Sequence, residues 1–147
     1  MTDIIQTGFE EAKKLLHSTS TDKGFSASLG GLYDNEVWGR DGSIICLGVH
    51  RCEDSRLMES SRTTLSTLKQ MQSSLGQVPN RVRIAPLSVN FYSLDASSWW
   101  IIAVTSYWRV TGDREFISEF WPSLKKAITW LKYRDTDGTG LLTSPPA

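Results

Sequence analysis

The sequence predicts an all-α protein, built from helical hairpins that comprise about five helices and two long loops. Three observations predict this class. Apolar residues recur at helical spacing over most of the chain, no segment alternates convincingly like a strand, and each of two segments rich in turn residues precedes an apolar helix. A length of 147 residues with 39% hydrophobic content is enough for one domain with a packed core.

The first half of the chain predicts one single helix and one hairpin. Residues 3–17 predict a helix because one face carries the apolar side chains Ile4, Ile5, Phe9, Ala12, Leu15 and Leu16. Residues 22–40 are rich in glycine, serine and asparagine, which indicates a long loop. The apolar run at 44–49 and the amphipathic segment at 54–74 then predict a helical hairpin.

The second half begins with another long loop, over residues 75–94, which has no period and two prolines. Asp95 is placed to cap a helix that ends near Gly112, and Asp113 is placed to cap the next helix. Pro122 lies inside that last helix and predicts a kink or a restart, because proline lacks the backbone N–H that a helix interior needs.

Charge and composition exclude several classes of function. The 16 basic residues balance the 16 acidic residues, so the chain has no net positive charge that would favour binding to nucleic acid or an anionic membrane. No apolar run reaches the roughly 20 residues of a membrane span, and the N-terminus lacks the features of a signal peptide, which predicts a cytoplasmic location. Cys46 and Cys52 are expected to be reduced, and neither a metal nor another cofactor is predicted.

Two clusters combine aromatic and charged side chains at the start of apolar helices. The first holds Trp38, Arg40 and Asp41, and the second holds Asp95 and Trp100 beside a further tryptophan. Sugars present hydroxyls to charged polar groups and flat C–H faces to aromatic rings, so a carbohydrate site needs both kinds of residue close together. The six tryptophans also exceed what a helical domain of this size requires.

Simpler structural interpretations stand beside these functional ones. Arg40 and Asp41 would also suit a loop ion pair in which Asp41 caps a helix, and Asp95 would also suit a helix cap alone. Helices present only some of their indoles to a cavity, so we expect three other tryptophans to be core residues: Trp99, Trp108 and Trp130.

The motifs, taken in order, resemble those of a known group of glycosidases. Residues 37–41 resemble its Trp-x-Arg-Asp signature, residues 95–100 resemble Asp-x-x-x-Trp-Trp, and residues 111–113 resemble Thr-Gly-Asp. Residues 135–142 resemble its Asp-x-Asp-Gly-x-Gly-Leu turn. The group is the six-hairpin glycosidases with an (α/α)6 toroid, which includes glycogen-debranching amylo-α-1,6-glucosidases, glucoamylases, and neutral and alkaline invertases.

The resemblance implies that residues 1–147 form a single, incomplete toroid domain whose remaining C-terminal hairpins are missing. It implies inverting hydrolysis of α-glucosidic bonds, which needs an acid and a base roughly 6.5–9.5 Å apart. Both would fall beyond Ala147, so the isolated chain is expected to be inactive. The in-chain candidate for the general acid is Asp95, because two neighbouring tryptophans would raise its pKa by desolvation.

The resemblance also implies that an oligosaccharide or polysaccharide is bound by Trp38, Arg40, Asp41 and Trp100, with Asp95 as a further binding residue. A turn at residues 135–140 is similar to a calcium loop, but it lacks a third acidic ligand and the bidentate glutamate. Two other functions remain open: a carbohydrate-binding protein without catalysis, and a helical scaffold for a protein partner. The second would require a sequence repeat, which is absent here.

Overall fold

In a computed structural model that describes residues 2–143, those residues form five helices and five short strands. The helices are α1 (Thr2–Thr19), α2 (Gly39–Val49), α3 (Ser55–Gln70), α4 (Asp95–Thr111) and α5 (Arg114–Lys132). The strands are β1 (Ser20–Thr21), β2 (Gly24–Phe25), β3 (Glu36–Trp38), β4 (Arg81–Arg83) and β5 (Ser88–Asn90). The predicted mainly helical class is therefore confirmed.

The helices form two layers. In the first layer α2 and α4 lie side by side and parallel, because Arg40 contacts Asp95 at one end and His50 contacts Ser106 at the other. In the second layer α3 and α5 return behind them, with α1 beside α3. Stacked hairpins of this kind are what a partial all-α toroid contains.

The strands correct the expectation of two irregular loops. Strands β1 and β2 form a hairpin, and β3, β4 and β5 form an antiparallel sheet in that order. Strands of two or three residues are too short to show an alternating pattern, and pairs such as Glu36 with Arg83 join residues far apart in sequence. Val37 and Val82 face the core from this sheet, and both are buried.

Aromatic side chains dominate the core between α4 and α5. Phe116 and Phe120 stack with ring centroids 4.1 Å apart, and Trp100 stacks on Phe120 at 6.0 Å. The Trp100 indole N–H donates to the Leu65 carbonyl oxygen at 3.1 Å, and its side chain is 0% exposed. The prediction that Trp100 contacts a sugar is therefore wrong, because no face of the ring is accessible to a ligand.

The predicted start of α5 and the predicted end of α4 are correct, but the predicted cap of α4 is not. The Asp113 carboxylate caps α5 by accepting from the Phe116 N–H at 2.9 Å, and Gly112 ends α4 with φ 67°. The N-cap of α4, however, is Leu94, which makes no side-chain cap bond, and Asp95 is the first helical residue. Its carboxylate is engaged elsewhere, as described below.

The restart predicted at Pro122 is wrong, because α5 continues through it as one helix, while the kink stays a prediction. The carbonyl that loses its partner belongs to Ser118, an exposed residue. That carbonyl can bind water, which explains why a proline is tolerated here.

Helix α1 contacts the rest of the chain through charged groups and through Leu16, which packs against the core. Lys13 and His17 contact the Asp54 carboxylate at 3.3 and 3.0 Å. The apolar face that identifies α1 in the sequence is exposed at Ile4, Ile5 and other positions. Periodicity therefore predicts this helix correctly, although its packing within residues 2–143 is slight.

A buried histidine links α2 to both neighbouring helices. The two ring nitrogens of His50 each lie 2.9 Å from a serine hydroxyl, on Ser106 of α4 and Ser61 of α3. Burial lowers the pKa of His50 from 6.5 to about 4, and the charge of nearby Arg51 acts in the same direction. The folded state therefore holds this imidazole neutral.

We expect the free energy of unfolding to fall as the pH drops from about 6.5 to about 4. In that window the unfolded chain binds a proton at His50 and the folded chain does not, so acid favours unfolding by up to about 3 kcal/mol. Urea titrations at half-unit pH steps would measure this slope. His50→Gln should flatten it, whereas Ser106→Ala, which keeps the imidazole, should retain it. An unchanged slope in His50→Gln would assign the effect to other groups.

Candidate functional site

The N-terminal ends of α2 and α4 meet beside the three-stranded sheet, and glycine makes this meeting possible. Strand β3 ends at Trp38 and α2 begins at Gly39, whose N–H donates to the Asn80 carbonyl oxygen at 2.8 Å. A Cβ atom at Gly39 would lie 2.2 Å from the Pro79 oxygen and 2.9 Å from the Ala96 Cβ. Only glycine lets these three segments approach so closely, and this approach brings the two predicted clusters together.

An arginine between two carboxylates forms the charged part of the site. The Arg40 guanidinium lies 3.1 Å from an Asp95 oxygen and 4.0 Å from an Asp41 oxygen. All three side chains remain open to solvent, with exposures of 52% for Arg40, 53% for Asp41 and 42% for Asp95. Such a group offers both donors and acceptors to neighbouring hydroxyls of a ligand.

Two aromatic rings form the apolar wall next to these charges. Trp38 is half-buried, and Tyr33 meets it edge to face with ring centroids 5.7 Å apart. A cleft of about 480 Å³ opens here, lined by Ala27, Tyr33, Trp38, Arg40, Asp41, Ile44 and Ile45. The cleft thus has the mixed aromatic and polar lining that a sugar requires.

Tyr33 and Ile44 belong to the cleft but were not predicted from the sequence. Ile44 belongs to the apolar run at 44–49, yet it is exposed on the side of α2 that faces the cleft. Tyr33 lies in the loop before β3, where no period fixes its direction. The only available signal was an aromatic residue five positions before Trp38 in a glycine-rich loop.

The expected upward pKa shift of Asp95 is wrong in direction. Burial, the largest single effect, raises its pKa, but hydrogen bonds from Ser93 and Arg40, the Arg40 charge and the Ala96 N–H together bring it below the ordinary value. A carboxyl with a lowered pKa is ionised at neutral pH and holds no proton to donate. Asp95 is thus suited to accepting hydrogen bonds; its assignment as the general acid stays a prediction without support from this pKa.

The tryptophans that are buried and those that are exposed differ in part from the ones the sequence predicts. Trp100 is in the core, Trp130 is buried as predicted, and Trp99 is half-buried. Trp108 was expected in the core but is 40% exposed. Of the two tryptophans predicted to face the cleft, only Trp38 lines it.

A larger cleft of about 720 Å³ lies at the opposite ends of α2 and α4, near His50, Arg51 and Arg109. Glu53 is the only carboxylate in its lining, so this cleft does not repeat the arginine-carboxylate arrangement. Within residues 2–143, no cluster of three or more histidine, cysteine or acidic side chains could hold a metal ion. The turn after α5 is closed by its own hydrogen bonds, since Asp137 accepts from Thr139 and Asp135 accepts from the Gly140 N–H.

Comparison with protein families gives a match to amylo-alpha-1,6-glucosidase over residues 9–136, which is most of the chain. The chain belongs to this family. The match includes both clusters of the candidate site, while the turn at residues 135–142 lies mostly outside it. Family membership confirms the resemblance to glycogen-debranching enzymes and relates the chain to glycosidases that act on carbohydrate.

No curated protein matches the chain. Among the described helices, none is both long and apolar enough to cross a membrane.

Proposed function

We propose that this chain supplies the part of a debranching-type glucosidase that binds the terminal glucose of an α-1,6-branched glucan. One observation carries the proposal. Arg40 lies between Asp41 and Asp95 at the rim of a cleft whose wall is formed by Trp38 and Tyr33. Membership of the amylo-α-1,6-glucosidase family supports glucose as the bound unit.

Each group has a distinct task in this arrangement. The indole of Trp38 stacks against the C–H face of the sugar ring, with Tyr33 closing one side. Arg40 donates hydrogen bonds to adjacent hydroxyls, and Asp41 and Asp95 accept from them. Because the same arginine contacts both carboxylates, the three charged groups are already oriented before the sugar arrives.

Hydrolysis with inversion requires one protonated carboxyl and one ionised carboxylate on opposite sides of the scissile bond, roughly 6.5–9.5 Å apart. Hydrogen bonds and the charge of Arg40 favour the ionised form of Asp95, which supports a role in sugar binding. The lowered pKa makes Asp95 both a poor proton donor and a weak general base. We therefore assign the acid and the base to further hairpins of the complete domain, outside this chain. The chain alone should then bind without turnover.

Nuclear magnetic resonance titration of the 147-residue chain tests this function. Methyl α-D-glucoside should shift the indole N–H signal of Trp38 and the side-chain N–H signal of Arg40. Methyl α-D-galactoside, which inverts a single hydroxyl, should bind at least about tenfold more weakly, since a mispaired polar group is costly. Equal binding of the two sugars, or no shift with either, would contradict the proposal.

An assay for released glucose tests the catalytic part. We expect no glucose from isomaltose or branched dextrin when the chain acts alone, even after prolonged incubation. Any release of glucose by the chain alone would instead place catalytic carboxyls inside this chain. That result would contradict the assignment of both catalytic carboxyls to other hairpins.

A further inference from the structure

A buried glutamate lies directly behind the aromatic wall of the cleft. The Glu36 side chain is 0% exposed. Its Oε1 accepts from Arg83 Nε at 2.8 Å and lies 2.7 Å from Arg83 Nη2 and 3.5 Å from Arg81 Nη1. Its Oε2 accepts from the Trp38 indole N–H at 3.1 Å. The two carboxylate oxygens therefore have different partners.

The strands explain how these groups meet. Side chains two residues apart on a strand point to the same face, so Glu36 and Trp38 share one face of β3 while Val37 enters the core. Across the sheet Glu36 pairs with Arg83 and Trp38 pairs with Arg81. The two arginines thus neutralise a carboxylate whose burial would otherwise be strongly unfavourable.

We propose that Glu36 is a positioning residue that fixes the Trp38 indole for sugar stacking, an inference that rests on the proposed function. The Oε2 atom anchors the pyrrole edge of the ring, and Tyr33 contacts the same ring from the cleft side. A stacking platform with a fixed orientation loses little conformational entropy when the sugar binds. Glu36 itself does not line the cleft.

Pairing of the strands does not account for this second bond. A cross-strand ion pair with Arg83 needs only Oε1, which already contacts both Nε and Nη2 of that arginine. Oε2 is left free to accept from the indole. If the carboxylate only linked β3 to β4, replacing Glu36 would leave the orientation of Trp38 unchanged. A change in that orientation can be measured.

A double-mutant cycle on methyl α-D-glucoside affinity is the first test. In Glu36→Gln the single remaining oxygen is drawn to the arginines and the amide N–H2 faces the indole N–H, so Trp38 loses its acceptor. The affinity for the glucoside should fall about fivefold, which corresponds to the net free energy of one hydrogen bond. In a Trp38→Phe background, where no indole N–H exists, Glu36→Gln should change affinity less than about twofold. An equal loss in both backgrounds would overturn the proposal.

The second test needs no sugar and therefore separates this inference from the proposed function. Labelling with ¹⁵N-tryptophan gives six indole signals, of which the Trp38 signal is the one absent from Trp38→Phe. In Glu36→Gln this signal should move and its proton should exchange faster with water. An unmoved signal would overturn the positioning role. If the unmodified chain binds no glucoside, the proposed function fails, and this measurement still decides the role of Glu36.

Glu36→Asp provides a variant that keeps the charge required by Arg81 and Arg83. Its side chain is one methylene shorter, so it can satisfy the arginines but withdraws from the indole. It should therefore fold even if Glu36→Gln does not, and it should show the same displaced Trp38 signal. A folded Glu36→Asp chain with an undisturbed signal would also overturn the proposal.

Discussion

Arg40→Ala is expected to weaken the binding of methyl α-D-glucoside by about 10- to 100-fold. The guanidinium supplies the charged donors of the site, and hydrogen bonds to charged groups contribute about 1.5–3 kcal/mol each. Its loss also leaves Asp41 and Asp95 without the positive charge that lies 4.0 and 3.1 Å away. Titration calorimetry or nuclear magnetic resonance would measure the change in dissociation constant.

Arg109→Ala is a matched control for this prediction. Arg109 is an exposed arginine near the end of α4, about 21 Å along the helix from Asp95. Its removal should leave glucoside affinity unchanged within about twofold. In Arg40→Ala, in contrast, the pKa of Asp95 should also rise, because Arg40 is one of the groups that lower it. Equal losses of affinity in the two variants would show that net charge, rather than this cluster, governs binding.

Local chemistry explains which parts of the fold could be predicted. The cap at Asp113 and the left-handed Gly112 that ends α4 depend on residues within one helical turn, so the sequence contains the full signal. The periodic segments likewise identified every helix among the described residues, although α2 begins at Gly39, inside the predicted loop. Strand β3 could not be predicted, because it pairs with β4 across more than forty residues.

The candidate site was predictable as a set of residue types but not as a geometry. Arg40 and Asp95 are 55 positions apart, and only the parallel packing of α2 and α4 brings them within 3.1 Å. The direction predicted for the Asp95 pKa was wrong because the tryptophans were considered and the groups that lower it, the Ser93 hydrogen bond and the Arg40 contact, were not. The burial of Glu36 could not be predicted for the same reason, because its two arginine partners lie on β4, more than forty residues away.

Two adjacent tryptophans illustrate the limit of periodicity most clearly. Trp99 and Trp100 differ by 100° around α4, and a helix that has neighbours on several sides can bury either of them. The structure buries Trp100 completely and leaves Trp99 half-buried. The sequence motif that contains both therefore marks the helix correctly without showing which indole is accessible.

Trp100→Phe should lower the free energy of unfolding by about 2–3 kcal/mol. The smaller ring leaves a cavity next to Phe120 and removes the N–H that donates to the Leu65 carbonyl oxygen. Trp108→Phe makes the same chemical change on the same helix at a position that is 40% exposed, and it should cost less than about 0.5 kcal/mol. Urea unfolding with a common m value would give both differences.

Trp38→Phe completes the comparison. Replacing Trp38 should mainly lower sugar affinity, whereas replacing Trp100 should mainly lower stability. Trp38 lines the cleft, so its replacement should weaken glucoside binding more than it destabilises the fold. Trp100 has no accessible surface, so the folded Trp100→Phe chain should bind glucoside with unchanged affinity. A Trp100→Phe chain that kept its stability but lost glucoside binding would show that Trp100 contacts the sugar. Helix α4 would then have to be oriented differently. The parallel packing of α2 and α4 that supports the proposed function would then have to be abandoned as well.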